Sequence, residues 1–413
     1  MKAKRNPHLD SAARHGCGAA AIMGGGLSSI FLKMKKQFWL AAATRISDLP
    51  DELLCHILSF LPIEDVFAAS LVSKRWRSLR YSLPNLDISE DRFLGRWRSS
   101  YSFIQLVNAA ILGRGIHQPI KTLCLILVSP ISQTWLKAAR DLKVHNLEIS
   151  VPLGTNVPCT VFTITTLVVL KLCNATVTDA FSSLVVHLPS LKVLDLNRIH
   201  FFKRQHFIEL LNGCAASLED FQAKDISIYH YHLDPSYKGK VTTSLSKCVR
   251  ANISLAKMTK YFPGYYYYSI NLILGLDKLD TPLFPNLIHM ELKFGGQVDW
   301  KFVLDMLHHC PQLQTVVLQN LCDLSIEVWP STNVVPKCFS SQLRTCCLKN
   351  CTGSKRQVTF AKFVMQNATL LCALTIFSWP GMRNKRILQM RKELDSCPRS
   401  SATCDLQIIH VPR

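Results

Sequence analysis

The chain has 413 residues, 48% of them apolar, and sets 48 Lys/Arg against 28 Asp/Glu for a formal charge of +20. That length serves more than one domain or a long repeat array, and its longest apolar runs, such as Tyr265 to Leu276, fall short of the roughly 18 residues of a membrane span. Sixteen cysteines lie scattered without a C-x-x-C pair, the tightest cluster being Cys346, Cys347 and Cys351; this argues against a zinc site and for buried thiols in a reducing compartment. The basic residues are spread along the chain with no aromatic-interleaved basic motif, so a solvated basic surface is expected rather than a nucleic-acid site.

Residues 1–44 hold seven Lys/Arg and one acidic residue, Asp10. Gly24, Gly25 and Gly26 break their apolar stretch and Lys33, Lys35 and Lys36 follow it, the reverse of a secretory signal. A disordered basic leader is expected. From residue 45 the chain reads RISDLPDELLCHILSFLPIEDVFAASLVSKRWRSLRYSLP. A first helix is predicted after Ser47 and Asp48, with Pro50 early in it, and Leu53, Leu54, Ile57, Leu58 and Leu61 spaced as one stripe. Pro62 is expected to stop it. A second helix is predicted over Glu64 to Leu71, and a third opening at Ser73 with Lys74, Arg75, Trp76 and Leu79. Forty residues rarely bury enough surface alone, so the stripe should pack partly on something else.

The stretch LPDELL (Leu49 to Leu54), the run ILSFLP (Ile57 to Pro62) and SKRWR (Ser73 to Arg77) resemble the F-box. The resemblance implies docking on the Skp-type adaptor of a cullin-RING ubiquitin ligase. Leu49, Pro50, Leu53, Leu54, Ile57, Leu58, Val72 and Trp76 would then contact the adaptor or position the residues that do.

Farther along, a repeat organises the chain. Its template is apolar-x-x-apolar-x-apolar. Copies begin at Leu167, Leu191, Leu287, Leu313, Leu343 and Leu371, and weaker ones at Ile120, Val144, Leu218 and Cys248. Successive starts lie 23 to 39 residues apart by subtraction. Period-2 alternation predicts a short strand in each copy. Helix-like segments ending in Pro come before several strands, as in HLPSL (His187 to Leu191) and CPQL (Cys310 to Leu313). Such a unit buries its apolar face only by stacking, so a curved leucine-rich-repeat solenoid is expected. The fifth template residue, and the one after the sixth, should face its concave side: Lys171, Asp195, Asn197, Gln222, Lys224, Glu291, Lys293, Gln319 and Lys349. The longest gap holds Tyr265, Tyr266, Tyr267 and Tyr268, which do not fit the repeat. They read either as a recognition loop, since tyrosine is favoured at contacts, or as an extra strand.

The end of the chain reads as strand, helix, strand, helix, strand. Phe360, Phe363, Val364 and Met365 should face a core on a helix ending near Asn367. Leu388 and Leu394 should anchor the last helix, with Arg383, Lys385, Arg386, Arg391 and Lys392 solvated. Trp329-Pro330, VPKCFSSQL (Val335 to Leu343), FAKFVMQNA (Phe360 to Ala368) and CPRSSATC (Cys397 to Cys404) resemble the FBD domain that ends many plant F-box and leucine-rich-repeat proteins.

The sequence contains no G-x-S-x-G, P-loop, H-E-x-x-H or G-x-G-x-x-G motif. His308-His309-Cys310 sits where a helix end naturally carries histidine, and reads as structural. The expected molecule is an α/β chain without cofactor or metal: a leader over 1–44, a three-helix F-box over 45–90, a repeat array over 91–327 and an FBD-type segment over 328–413. The resemblances imply a non-catalytic substrate receptor of an SCF-type ligase, in the cytoplasm or nucleus. It would join cullin and RING subunits through the adaptor and hold a protein target for ubiquitination. The alternative is a ligase-independent repeat scaffold with a decayed F-box.

Overall fold

Pro50 and Pro62 each stand immediately before a helix. In the computed structural model α1 spans Asp51–Ser59, α2 Ile63–Ala69 and α3 Lys74–Leu79. This corrects the expected boundaries: Pro50 lies outside α1, Pro62 opens α2 rather than ending α1, and α2 stops before Leu71. Both prolines hold extended backbone, ψ 152° and 148°, at the cap position. There their fixed φ suits the turn into the helix. The structure describes residues 46, 49–71, 74–97, 99–115, 118–178, 186–202, 204–228, 244–255, 284–294, 300–319 and 334–412. Val72, Ser73, Trp329 and Tyr265 to Tyr268 lie outside them.

The described chain falls into two units. One takes the residues up to Ile88 together with Phe93–Gln118, the other Ser89–Arg92 and those from Pro119 on. The first adds to α1–α3 a short 3-10 turn, Arg80–Ser82, most of the strand β1 (Asn85–Ser89) and the helix α5 (Ser100–Ile111), which follows α4 (Glu90–Trp97). Its core gathers Leu54, Leu58, Val66, Trp76, Leu79, Phe103 and Val107, all buried. A buried guanidinium holds the turn in place. Arg114 donates to the carbonyls of Ala110 at 2.9 Å, Tyr81 at 2.7 Å and Leu83 at 2.8 Å. Burial lowers its pKa to about 10, which still leaves it charged at neutral pH.

The second unit is built on parallel strands. They are β2 (Thr122–Ile126), β3 (Asn146–Asn156), β4 (Val169–Val177), β5 (Val193–Asn197), β6 (His200–Phe201), β7 (Asp220–Lys224), β8 (Ser227–Ile228), β9 (Arg250–Leu255), β10 (His289–Phe294), β11 (Thr315–Gln319), β12 (Thr345–Cys351), β13 (Ala373–Ser378) and β14 (Asp405–Ile409). The sheet is open, and its order follows the chain: β2-β3-β4-β5-β7-β9-β10-β11-β12-β13-β14, with β6 pairing β4 and β8. Parallel neighbours need a crossover between them. Described crossovers carry α6 (Gln133–Asp141), α7 (Arg204–Cys214), α8 (Trp300–His308), α9 (Lys337–Ser341), α10 (Lys355–Asn367) and α11 (Asn384–Asp395).

Each of the ten template copies becomes one of these strands, starting at its third residue. The first, fourth and sixth residues are buried in all ten, as with Leu191, Leu194 and Leu196. Burying a leucine contributes about 1.5–3 kcal/mol, so three per copy are a strong reason for the register to hold. The eighth residue takes left-handed backbone in four copies, at Asn174 (φ 61°), Arg198 (53°), Asp225 (52°) and Asn350 (59°). Asn174 and Asn350 lie inside β4 and β12, which run on to Val177 and Cys351, while Arg198 and Asp225 stand between β5 and β6 and between β7 and β8.

In the C-terminal part α10 is capped reciprocally by Ser354 and Gln357. It ends at Asn367 with Phe360, Val364 and Met365 buried and Phe363 half-buried against Phe339, rings 5.6 Å apart. On α11 the expectation fails for Leu388. Met390 and Leu394, four apart, face the core, while Leu388 lies about 200° around the helix from Met390 and is 65% exposed.

Candidate functional site

The first unit leaves large apolar side chains in solvent. On α1 and the turn after it, Leu53 is 49% exposed and Phe60 74%, with Leu61 exposed beside them. Residues 53, 57 and 60 follow spacings of four and three, hence one helix face. Leu71, just beyond α2, is 69% exposed. Of the sequence-predicted set, Pro50 and Leu53 are exposed and Leu49 and Ile57 half-buried. Leu54, Leu58 and Trp76 lie buried inside the unit, which leaves them the second of the two expected roles. They position the exposed residues. Leu61 belongs to the stripe read from the sequence; Phe60 and Leu71 do not, because stripe spacing alone does not tell which apolar residues stay uncovered.

Polar bonds fix this surface in place. Arg75 donates from Nη2 to the Leu49 carbonyl at 2.7 Å and from Nε to Asp51 at 2.7 Å, tying α3 to the start of α1. Arg80 stacks its guanidinium 4.4 Å from the Phe67 ring and 4.6 Å from the Tyr81 ring. Arg96 donates to Asp65 at 2.9 Å and 3.1 Å.

The second unit offers a polar sheet face. With the fourth and sixth template residues buried, the third, fifth and seventh point the other way. The register aligns Glu148, Lys171, Asp195, Gln222, Asn252 and Glu291 in one row across β3–β10. Asn197, Lys224, Ser254, Lys293, Gln319 and Lys349 form a second row. The sequence-predicted target residues therefore share one face, apart from Tyr266 and Tyr267, which lie outside the described residues.

Several of their charges are paired within that face. Lys171 Nζ lies 3.6 Å from Glu148, and Lys349 Nζ 3.8 Å from Glu291. Glu291 also accepts from Asn252 at 3.2 Å and from Gln319. Arg250 donates to Asp220 at 3.2 Å. Burial raises the Asp195 carboxyl pKa, opposed by Lys224 and Lys171. Burial lowers that of His289, opposed by Glu291. Sequence reasoning left out Glu148, Asp220, Arg250, Asn252 and His289. The third template position and the weaker copies hold the signal that finds them.

Eight of the 14 described cysteines are buried, five are half-buried and Cys372 is exposed. Burial pushes the thiols of Cys214, Cys248, Cys338 and Cys351 up to about 12, so they stay protonated and unreactive. His309 Nδ1 bonds the Asp305 carbonyl at 2.6 Å at the end of α8, beside buried Cys310. Among the described residues no group of three His, Cys, Asp or Glu is placed to hold a metal ion, and no helix is long and apolar enough to cross a membrane.

Comparison with known proteins matches two segments of the chain. Residues 46–79 match the F-box domain and residues 331–376 the FBD. Similar proteins from Arabidopsis thaliana include an F-box/FBD/LRR-repeat protein, 26% identical over 88% of this chain and 98% of its own length. An FBD-associated F-box protein is 28% identical over 88% and 94%. A second F-box/FBD/LRR-repeat protein is 26% identical over 88% and 99%.

Proposed function

We propose that this F-box protein is a substrate receptor of an SCF-type cullin-RING ubiquitin ligase. F-box domains generally bind Skp-type adaptors. The observation that carries the reading is the set of exposed apolar side chains on this one, Leu53, Phe60, Leu61 and Leu71. Water-exposed leucine and phenylalanine clustered on one small unit favour a partner that covers them. The chain itself supplies proximity: it holds a target near the activated ubiquitin and raises its effective concentration. The repeats form a solenoid whose strand face, including Lys171, Asp195, Lys224, Glu291, Lys293 and Lys349, receives the target, in the cytoplasm or nucleus.

Co-purification with a Skp-type adaptor tests the first half. Wild type should retain the adaptor, and the folded double variant Leu53→Ser with Phe60→Ser should lose it. A wild-type chain that binds no adaptor would leave the ligase-independent scaffold as the better reading. Affinity purification with the proteasome blocked then tests the second half. Targets should accumulate with wild type and escape variants reversed at Lys224 and Lys293.

A further inference from the structure

We propose that the exposed face of α11 is a docking site for an acidic peptide segment of a protein partner, one that carries an apolar anchor. The charge distribution comes first. Residues 331–413 hold 13 Lys/Arg and three Asp/Glu, 13 − 3 = +10, half of the chain's formal +20 in about a fifth of its length. On the strand face several charges neutralise one another in pairs; here two of the three acids are already taken. Glu393 lies 3.7 Å from Lys362, and Asp395 3.9 Å from Arg399.

The helix then sets the geometry. Leu388 stands in solvent with Lys385 three residues before it, Arg391 three after and Lys392 four after. Those spacings are the ones that bring side chains together on a helix surface. An exposed leucine ringed by three exposed cations results. Trp379, in the turn leading to the helix, is 50% exposed. Arg391 Nη2 lies 3.5 Å from the Ile408 carbonyl, which sets this face beside the last strand, β14.

Both chemistries matter to the choice of occupant. Phosphate contacts use cations alone, and a central leucine adds nothing to them. A membrane surface needs a broader apolar face, whereas Met390 and Leu394 are turned inward. A segment of Asp and Glu around one leucine or phenylalanine uses both features. The cations steer it and Leu388 anchors it. This site is independent of what the F-box binds.

The test is fluorescence anisotropy on the full chain with a labelled peptide of alternating Asp/Glu around a central Leu-Phe, at low and at raised salt. Binding should weaken with salt, because the steering charges are exposed. The triple reversal Lys385→Glu, Arg391→Glu, Lys392→Glu should weaken it at least about tenfold, and Leu388→Ser by about threefold. Lys137→Glu, exposed on α6, should leave it unchanged. An unchanged melting temperature establishes that each variant is folded, and Lys385→Gln with Lys392→Gln serves if the triple variant is not. Peptide binding that is absent in wild type, or that survives the reversals, overturns the proposal. Tighter binding of a single-stranded oligonucleotide or of phosphatidylserine vesicles, lost in the same variants, also overturns it and assigns the face to that ligand.

Discussion

The F-box unit and the repeat unit solve opposite problems with their apolar residues. The repeat unit buries the first, fourth and sixth residue of every template copy and shows water a face of paired charges. The F-box unit is too small to do so. It keeps Leu54, Leu58 and Trp76 inside and leaves Leu53, Phe60 and Leu71 outside. The difference teaches where each unit gets its specificity. A small unit with exposed apolar residues suits a standing partner that completes its core. A polar face of mutually neutralised charges suits a partner that must out-compete the pairs already formed.

Four measurements break or sharpen this contrast. The largest effect is expected inside the array. Leu196→Ala should cost about 2–5 kcal/mol in denaturant unfolding, since the residue is fully buried on β5, while adaptor capture stays intact. A loss below about 0.5 kcal/mol would mean the strand core is not packed as described. Next comes the F-box surface. Leu53→Ala with Phe60→Ala should weaken adaptor binding about a hundredfold, near 2.7 kcal/mol, with little change in unfolding. A change in stability as large as the change in binding would make these residues core after all.

Third is the buried guanidinium. Arg114→Met leaves the carbonyls of Tyr81, Leu83 and Ala110 without their donor and should cost about 1–3 kcal/mol. The loss should appear in the F-box unit and not in the repeat unit. Hydrogen exchange resolved by peptide tells the two apart.

The smallest effect is acid. Burial lowers the pKa of His200, His289 and His308. The unfolded chain therefore takes up protons near its ordinary histidine value, about 6.5, that the folded chain refuses. Stability that is full above about pH 7 should fall as the pH drops through that value toward the lower folded ones. A melting temperature that rises on acidification across this window would contradict the burial of these rings.

Much of the array was legible because one spacing rule does the work. A residue at the first, fourth or sixth position is apolar or it is not, and the strand starts two residues on. One copy escaped that count. Leu83, Leu86 and Ile88 fit the template and are buried at β1. They fall inside the span 45–90 read as the F-box, which hides them from the repeat count. Leu388 was misread because a leucine in a helix invites burial, and only the pairing of Met390 with Leu394 shows which face turns inward. Buried charges were out of reach altogether. Glu90 accepts from the Val128 and Ser129 amides at 2.9 and 3.0 Å and from the Ser129 hydroxyl at 2.7 Å, with partners 38 and 39 residues away. Backbone partners leave no trace in side-chain patterning.

The order of the sheet has a mechanical consequence. Among the described repeats from β9 onward, each strand pairs its backbone only with the one before it and the one after, and the Lys349–Glu291 contact from β12 to β10 ties side chains across a strand, so the backbone of the array comes apart like a stack of plates rather than like a knot. Its last plate is the loosest: β14 has no buried position along its length, whereas β13 buries every second residue. A pulling force applied near residue 409 should peel β14 first and meet a rising resistance at β13, and the strands at the middle of the array should feel nothing until their neighbour has gone.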